Sequence, residues 1–507
     1  MTNTDAHSPT VAIIGAGFGG LAAAIELERN GIDSYEVFER ADSVGGVWRA
    51  NTYPGAACDV PSSIYSYSFD LDADWSARFG TQSEIRDYLQ RAAEKYGVST
   101  KISFGREVSA ARFEDHRWRL EFVDGEDREF DALICATGLL SKPRIPDVEV
   151  SDGFGGSMFH SAEWDHSVDL TGKRVVVVGS GASAVQLVPK IVDDVAELAV
   201  VQRSPNWVVD RHDYRANPLI GRLLRRFPSV MRLQHNLEFL WYELRSPLIY
   251  NRMDPFRRIL EGWMRLKIRR QISDPVLRSA VTPEYRAMCN RLLMSNDWYP
   301  ALDRDHVSVH RQGIRRVAEN SVELSDGETV PADVVVWCTG FAADEYLAPI
   351  AIIGRDGRNL HVEWKENPEA YLGISVSGFP NLFMIYGPGT ASNVNTVIFM
   401  LEKEARFVRT VIERIAQTGG WVDVRQDAQD EYNSKRAVAL SKTVYGTGCP
   451  GWLSGKDGKP FAVWPGTHLE YAHATRRVDF DAYEHGGVST NAAASLATHE
   501  KSDVQRH

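Results

Sequence analysis

The sequence predicts an α/β protein with two copies of a strand–turn–helix unit and a helical insertion that follows the second copy. Two observations carry this prediction. An apolar strand, a glycine-rich turn and a helix follow one another near residue 11 and again near residue 174, and residues 214–280 show helical periodicity without any strand pattern. At 507 residues the chain is long enough for several domains. The repeated unit is typical of a Rossmann-type dinucleotide-binding domain.

Composition excludes several classes of protein. Hydrophobic residues make up 43% and charged residues 25% of the chain, as in a soluble globular protein. A net charge of −11 argues against general nucleic-acid binding, which needs a basic face. The polar N-terminus is not a secretory signal and no apolar run is long enough to span a membrane, so a cytoplasmic location is expected. Cys135 and Cys338 lie in apolar strands and should be reduced and buried, and no metal-ligand spacing occurs.

The first glycine-rich turn follows the apolar strand 11–14. Its small residues are Gly15, Gly17 and Gly20, and a helix begins directly after them. The glycines allow a tight turn and a close backbone approach, while the helix N-terminus offers free N–H groups to a pyrophosphate. A second strand, 35–39, ends in Glu39. Strand, turn, helix and terminal acid together predict a dinucleotide site.

The second turn follows the strand 174–178 and has alanine in its third small position. Its predicted cofactor-binding residues are Gly179, Ser180, Gly181, Ala182, Ser183 and Ala184. A second strand, 198–203, ends in Arg203, which Ser204 follows. The pattern therefore predicts another dinucleotide site.

The two sites differ in the charge at the end of the second strand. Glu39 lies 19 positions after Gly20, and Arg203 lies 19 positions after Ala184. A carboxylate at this position accepts hydrogen bonds from ribose hydroxyls, whereas a guanidinium pairs with a 2′-phosphate. The first site should therefore hold FAD or NAD and the second NADPH. The alternative for Arg203 is a surface arginine at a strand end.

A second glycine pair favours FAD in the first site. Gly46, Val47 and Trp48 follow Glu39 closely, in a turn where backbone could approach a further part of a long cofactor. The segments 131–138 and 333–340 are near copies, each an apolar strand followed by Thr-Gly, and they suggest that one domain interrupts another. The predicted division is 1–145 and 331–483 for the FAD domain, 146–213 and 283–330 for the NADPH domain, 214–282 for a helical subdomain, and 484–507 for a disordered tail.

The segment 152–166 carries a resemblance to a known family. Phe154, Gly156, His160, Trp164 and Asp165 match the fingerprint of the type I Baeyer–Villiger monooxygenases without a gap. The resemblance implies FAD and NADPH as cofactors. It also implies the insertion of one oxygen atom of O2 beside a ketone carbonyl, through a flavin C4a-peroxide, to give an ester or lactone. The alternative is an N- or S-oxygenating flavin monooxygenase, which usually has Tyr or Phe in place of Trp164.

The resemblance also implies roles for three residues. Arg291, in a segment similar to the family's "CKR" segment, would stabilise negative charge during oxygen transfer. Asp59 would lie near the flavin and pair with Arg291, although a turn or helix-cap aspartate is the alternative from the residue alone. His160 would be functionally sensitive in the hinge 152–166 without acting as an acid or base.

Two departures from the family pattern bear on these roles. The lysine that usually precedes the arginine is Asn290 here, so Arg203 and Ser204 would select NADPH alone and some NADH activity is expected. Ala57 replaces an arginine common in the family. Tyr65 and Val108 match positions beside FAD, and Trp452 matches a tryptophan that contacts NADP.

The helical insertion carries apolar residues at helical spacing, and Arg257, Arg258, Arg265 and Arg269 fall mainly on the other face. We expect the apolar face to pack against the NADPH domain and the basic face to be solvated. Membrane contact is therefore not expected, the alternative being a dock for a membrane or an apolar substrate store. The sequence leaves open whether the ketone is linear, cyclic, aromatic or steroid, and whether the chain is a monomer or a dimer.

Overall fold

The computed structural model of the chain has an α/β architecture and describes residues 8–250, 254–365, 367–392, 394–447 and 460–487. The strands β1–β22 of these residues are, in chain order, Val11–Ile14, Tyr35–Glu39, Ile102–Phe104, Val108–Glu114, Arg117–Phe122, Asp127–Phe130, Ala132–Cys135, Glu149–Val150, Ser157–His160, Arg174–Val178, Glu197–Val201, Val208–Val209, Leu293–Met294, Val307–His310, Ile314–Val317, Ser321–Leu324, Thr329–Pro331, Val334–Trp337, Ala351–Ile353, Leu382–Met384, Trp421–Val424 and Tyr483–Gly486. The helices α1–α13 are Phe18–Arg29, Val47–Ala50, Gln82–Lys95, Ala182–Ile191, Pro218–Arg226, Pro228–Tyr250, Asp254–Gln271, Pro275–Val281, Trp298–Leu302, Leu360–Trp364, Val397–Thr418, Gln426–Ser441 and His468–Ala474.

The first central sheet is parallel and has the strand order β20-β7-β1-β2-β3. Strands β1 and β7 are buried along their whole length, because helices pack on one face of the sheet and strands β4–β6 pack on the other. Helix α1 packs against α11 on one face. Strand β20 comes from a part of the chain more than 200 residues after β7, so the first domain is interrupted, as predicted.

The second central sheet is also parallel, with the order β14-β11-β10-β18-β9. Strands β10 and β18 are fully buried except for Arg174 at the edge of β10. The predicted α/β fold with two Rossmann-type domains is therefore confirmed. The strand ranges predicted from the sequence for β1, β2 and β10 agree with the observed ones at every residue.

The boundary predicted at residue 330 falls one strand too early. Strand β18, 334–337, pairs with β10 and so belongs to the second sheet. The two Thr-Gly strands are therefore not parts of one domain: β7 pairs with β1, and β18 pairs with β10. In each sheet, the strand of the Thr-Gly segment lies beside the strand that leads into the glycine-rich turn. At the other end, β22 runs to Gly486 and pairs with β21, which extends ordered backbone past residue 483.

The segment 152–166 forms the edge of the second sheet. Strand β9, 157–160, pairs with β18 in parallel. A Cβ on Gly156 would collide with the Asp333 carbonyl oxygen and would lie 2.6 Å from Cζ of Phe154. The glycine of the fingerprint therefore lets this strand and the Phe154 ring approach the sheet.

The helical insertion is built as predicted, but one of its helices is oriented the opposite way. The apolar residues of α6 are exposed, among them Leu233 at 57% and Leu237 at 59%, while Phe239 and Glu243 are buried. Helix α7 packs on the second domain through Met264 and Ile268. The expected packing of an apolar face on the NADPH domain is wrong for α6, because the face that contacts the first domain carries polar side chains together with Phe239.

Arginines of α7 also depart from the expectation. Arg257, predicted on a solvated basic face, is only 1% exposed. Arg258, Arg265 and Arg269 are exposed, as predicted. Among the described residues, no helix combines the length and the apolar character needed to cross a membrane.

We expect Gly156→Ala to destabilise the protein and Gly155→Ala to leave its stability unchanged. The added methyl group at 156 meets the Asp333 carbonyl and the Phe154 ring, whereas a Cβ at 155 meets nothing within 4 Å. Overpacking of this kind costs about 1–3 kcal/mol. Thermal melting of the two variants measures the difference, and equal melting temperatures would contradict the close approach described here.

Candidate active site

A single cavity of about 1970 Å³ lies where the carboxyl ends of both central sheets meet. Gly15 and Gly17 of the first turn and Gly179 and Gly181 of the second line it. The sequence therefore brings two separately predicted dinucleotide sites to one shared space.

The first turn fits a pyrophosphate. Gly15 has a φ of +103°, and a Cβ there would lie 2.7 Å from the Ala136 carbonyl oxygen. Helix α1 begins after Gly17 with no acidic residue in its first turn, so its free N–H groups keep their positive potential. Gly20 lies behind the turn, where a Cβ would collide with the Gly15 carbonyl oxygen.

The second glycine pair stands against the first turn. Gly46 has a φ of +54°, and a Cβ on it would lie 3.1 Å from the Gly17 Cα. Val47 and Trp48 open α2, and both line the cavity. The two glycines form a cradle that side chains would fill, which suits a long cofactor.

Glu39 is held ready at the end of β2. Its carboxylate accepts hydrogen bonds from the Ala16 N–H at 2.8 Å and the Ala41 N–H at 2.9 Å. The side chain is buried, yet it lines the cavity. Since each carboxylate oxygen has two lone pairs, acceptor capacity remains for ribose hydroxyls.

The second turn repeats this geometry. Gly179 has a φ of +116°, and a Cβ on it would collide with the Cys338 carbonyl oxygen. A Cβ on Gly181 would meet nothing within 4 Å, so it would project into open space that a pyrophosphate could fill. Helix α4 begins at Ala182, and Ser180 and Ser183 line the cavity, while Ala184 is buried in the core.

Arg203 and Glu39 differ in more than charge. Glu39 is the last residue of its strand, whereas β11 ends at Val201 and Arg203 lies two residues beyond it. Arg203 and Ser204 are exposed and line the cavity. An exposed guanidinium at this rim suits a solvated phosphate group. The Ser204 carbonyl accepts a hydrogen bond from Ser180 Oγ at 3.0 Å, which ties the rim to the turn.

Aromatic side chains form the cavity wall beside the first turn. Trp48 Nε1 donates a hydrogen bond to Tyr65 Oη at 3.1 Å, and the two rings meet edge to face. Val108, the first residue of β4, also lines the cavity. All three were predicted to flank FAD.

Asp59 and Arg291 meet at the cavity. Arg291 Nη2 donates a hydrogen bond to Asp59 Oδ1, forming an ion pair between residues 232 positions apart. Burial opposes the charge of Arg291, but Asp59, Cys58 and Tyr386 raise its pKa above the ordinary arginine value, so it stays cationic. The turn aspartate of the sequence is therefore joined to the predicted arginine.

His160 lies behind the cavity rather than in its wall. Its Nδ1 accepts a hydrogen bond from the Ala162 N–H at 3.1 Å, and its ring meets Phe341 edge to face at 5.6 Å. Burial lowers its pKa, against a smaller opposing effect of the Gly340 backbone. His160 is thus neutral at pH 7. Asp59 and Arg291 line the cavity, whereas His160 does not.

The sequence missed a contact between the domains. Gln186 of α4 accepts a hydrogen bond from Tyr53 Oη at 2.8 Å and donates one to the Ala57 carbonyl at 2.9 Å. A Cβ on Gly55 would lie 2.7 Å from the Gln186 carbonyl oxygen. The motif containing Gly55 and Ala57 therefore docks on the second domain. Its small residues were the available signal.

A second missed residue is Glu404 of α11. It is fully buried and accepts hydrogen bonds from the Tyr386 N–H at 2.8 Å and Tyr471 Oη at 3.0 Å. Tyr386 lines the cavity and has a φ of +67°, so Glu404 holds a strained backbone beside it. Burial raises the pKa of Glu404 to about 8.

Trp452 lies outside the described residues. Cys58, Cys135 and Cys338 are free and buried, and burial raises the pKa of the Cys58 thiol to about 12, so it is no nucleophile at neutral pH. Among the described residues no cluster of His, Cys, Asp and Glu could hold a metal.

Comparisons with known proteins agree with this geometry. Residues 8–348 match the family model for flavin-binding monooxygenase-like proteins. A "Baeyer-Villiger monooxygenase" of Streptomyces coelicolor is 38% identical over 94% of this chain and 92% of that protein. The closed crystal structure of cyclohexanone monooxygenase superimposes with a TM-score of 0.85 at 25% identity, covering 94% of this chain and 99% of that one. The crystal structure of OTEMO in complex with FAD and NADP (form 3) gives a TM-score of 0.84 at 26% identity over the same shares.

We expect Glu404→Gln to reduce the loss of stability between pH 5 and 8. The folded pKa of Glu404 is about 8 and lies above its unfolded value, so its contribution is complete at low pH and falls as pH rises toward 8. The slope from one such group is about 1.4 kcal/mol per pH unit. Asp423, with a pKa raised to about 7 by burial, retains part of the slope.

Melting temperatures of the wild type and the variant across this pH range measure the effect. Glu114→Gln, at an exposed position at the end of β4, is the control and should keep the wild-type slope. A parallel pH dependence for Glu404→Gln and the wild type would show that Glu404 is already ionised in the folded protein.

Proposed function

We infer that this chain, which belongs to the flavin-binding monooxygenase family, is an FAD- and NADPH-dependent Baeyer–Villiger monooxygenase that converts a ketone into an ester or lactone. The observation that carries the proposal is the Asp59–Arg291 ion pair, which places a fixed cation in the cavity that both glycine-rich turns share. The relatives named above support it over an N- or S-oxygenating monooxygenase. A cytoplasmic location and a monomeric or dimeric state belong to the same proposal.

The residues fit two dinucleotides. FAD would lie along the first turn, with Glu39 at its ribose. Gly46 would let the protein backbone come close to the cofactor, and Trp48 and Tyr65 would lie beside the ring system. NADPH would lie along the second turn, with Arg203 and Ser204 at the 2′-phosphate. Reduced FAD supplies the chemistry that activates O2 for transfer of one oxygen atom.

The chain's own contribution to the chemistry is positioned charge. Negative charge develops on oxygen when the ketone carbonyl is attacked, and the Arg291 guanidinium is the cation placed to stabilise it. One preorganised donor of this kind is worth about 2.7–4 kcal/mol. Asp59 orients Arg291 and keeps it charged.

The walls of the cavity supply apolar surface for the substrate. Ile398 and Leu401 of α11 line it, together with Val397 at the start of the same helix. These side chains offer no hydrogen bonds, so they would orient a ketone by shape and leave its carbonyl to the cation. His160 would act from behind by holding β9 and the backbone around Ala162 in place.

Product analysis with FAD-loaded protein, NADPH and labelled O2 tests the function. We expect esters or lactones carrying one labelled oxygen from a panel of linear, cyclic and aryl ketones. Arg291→Ala should lower their formation about 10²–10³-fold, the usual effect of removing one such donor, while flavin reduction by NADPH continues. Arg112→Ala, at a surface ion pair with Glu121, is the matched control.

A thioether and a tertiary amine complete the panel. Oxygenation confined to these two would assign the N- or S-oxygenating function instead. Unchanged ester formation by Arg291→Ala would remove Arg291 from the mechanism and leave the ion pair a structural one.

We expect a preference for NADPH over NADH below about a thousandfold, which corresponds to ~4 kcal/mol. Arg203 is a cation at the rim beside the second turn, and Asn290 adds no charge there. Arg203→Gln should raise the KM for NADPH and leave that for NADH nearly unchanged. Asn290→Lys should increase the preference for NADPH.

Steady-state kinetics with both coenzymes give the ratio of kcat/KM. Arg304→Gln, at an exposed ion pair with Asp193 outside the cavity, is the control. Equal losses with NADPH and NADH in Arg203→Gln would show that the residue does not recognise the 2′-phosphate.

A further inference from the structure

Helix α6 is attached to the first domain by a face that carries Phe239 and several hydrogen-bonded polar side chains. His235 Nδ1 hydrogen-bonds with the Ser63 carbonyl oxygen at 2.7 Å. Glu243 accepts hydrogen bonds from Asn395 Nδ2 at 3.1 Å and the Leu469 N–H at 2.8 Å. These bonds fix which face of the helix points outward.

The outward face is a stripe of large apolar side chains. Its members recur every three or four residues and are between 43% and 66% exposed: Val230, Leu233, Leu237, Leu240, Trp241 and Leu244. Isolated exposed leucines are common, but a continuous stripe over four helical turns marks an interaction surface.

The neighbouring helices present the same kind of surface. Helix α5 packs against α6 and exposes Leu219 and Leu223 at 66% and 53%. Helix α7, which follows α6 in the chain, exposes Ile259 at 62% and Trp263 at 72%. All three helices therefore expose large apolar side chains.

The charge of the insertion is opposite to that of the whole chain. Residues 218–271 contain twelve lysines and arginines and four aspartates and glutamates, an excess of eight positive charges on a chain of net charge −11. Arg222, Arg226 and Arg232 are exposed beside the apolar stripe. Arg225 is paired with Asp74.

The glutamates described on these helices point inward. Glu238 pairs with Arg78 at 3.0 Å, and Glu261 accepts a hydrogen bond from the Ala287 N–H at 2.9 Å. Glu243 is buried. The outward surface therefore combines apolar and positively charged side chains.

We propose that the outward faces of α5, α6 and α7 dock on a lipid surface rich in anionic phospholipids. Helices that lie in a membrane interface bury apolar side chains among the acyl chains and place arginines at the headgroups. Each basic residue near an anionic surface contributes on the order of 1 kcal/mol. Trp241 and Trp263 are of the type that prefers this boundary.

A second copy of the chain fits this surface less well. In a two-fold interface the same patch meets itself, so the arginines of both copies would be brought together. The chain's own end after Gly487 is a poor cover too, because its large aliphatic residues are only Val488, Leu496 and Val504. An anionic lipid surface satisfies both the apolar stripe and the positive charge.

Docking would also bring the lipid phase close to the cavity. Asn395 donates a hydrogen bond to Glu243 on the inner face of α6, and Asn395 also lines the cavity. The thickness of one helix, about 10 Å, therefore separates the stripe from the cavity wall.

Flotation of the full-length, FAD-loaded protein with vesicles tests the proposal. We expect the protein to float with equimolar phosphatidylcholine and phosphatidylglycerol, to bind phosphatidylcholine alone much more weakly, and to be partly released by high salt. Leu233→Glu combined with Leu237→Glu should lower the bound fraction about tenfold or more, because it places two acids in the stripe.

Val362→Glu combined with Val438→Glu is the matched control, since both valines are exposed on helices elsewhere, at 70% and 57%. This control should bind like the wild type. Flavin content and melting temperature verify that both double variants fold.

Three results would overturn the proposal. In the first, the wild type does not float with anionic vesicles. In the second, Leu233→Glu with Leu237→Glu binds the vesicles as well as Val362→Glu with Val438→Glu. In the third, light scattering would show a wild-type dimer that Leu233→Glu with Leu237→Glu converts to a monomer, which would assign the stripe to a second copy of the chain. None of these results depends on the activity toward ketones.

Discussion

The ion pair between Asp59 and Arg291 is the contact on which the arrangement of the site depends. Asp59 lies in the loop that follows α2 in the first domain. Arg291 comes from the segment that leads into β13 of the second domain. Both side chains are partly buried, at 20% and 37% exposure, so loss of either would leave an uncompensated charge in the cavity. The pair therefore holds the two domains in register and fixes the cation at the same time.

The ion pair lies at the cavity where the two parallel sheets meet. Ligands of open parallel sheets bind beyond the carboxyl ends of the strands, and here the ends of β1 and β10 face one cavity. The contact of Gln186 with Tyr53 and Ala57 adds a neutral hydrogen-bonded joint next to the ionic one. An oxygenase that passes electrons between two dinucleotides needs a space that both can reach.

Local patterns determined how much of this could be predicted. The apolar runs 11–14 and 174–178 and the small residues after them identify β1, β10 and both turns, because burial and close backbone approach act within a few residues. The pairing of strands is a long-range property. The segments 131–138 and 333–340 look alike because each forms the strand next to its own glycine-rich turn, and no local signal says that β18 belongs to the second sheet. The spacing of Phe154, Gly156 and His160 predicted a functional segment, but the sheet edge that it forms could not be seen without β18.

The orientation of α6 shows a limit of amphipathic patterns. A stripe of apolar residues at helical spacing says that a helix has two unlike faces, but it does not say which of them faces the protein. Here the inner face carries Phe239 and three polar residues that find partners, since His235, Glu238 and Glu243 each reach a hydrogen-bonding group of the first domain. A buried polar group without a partner would cost more than a bonded one. With the polar groups satisfied inside, the apolar stripe is left outside. Exposure of six large apolar side chains is unfavourable in water, at about 25 cal/mol for each Å² left uncovered. A complex in which a partner covers these side chains is stabilised by the same amount. The helix is therefore organised for a surface beyond the protein.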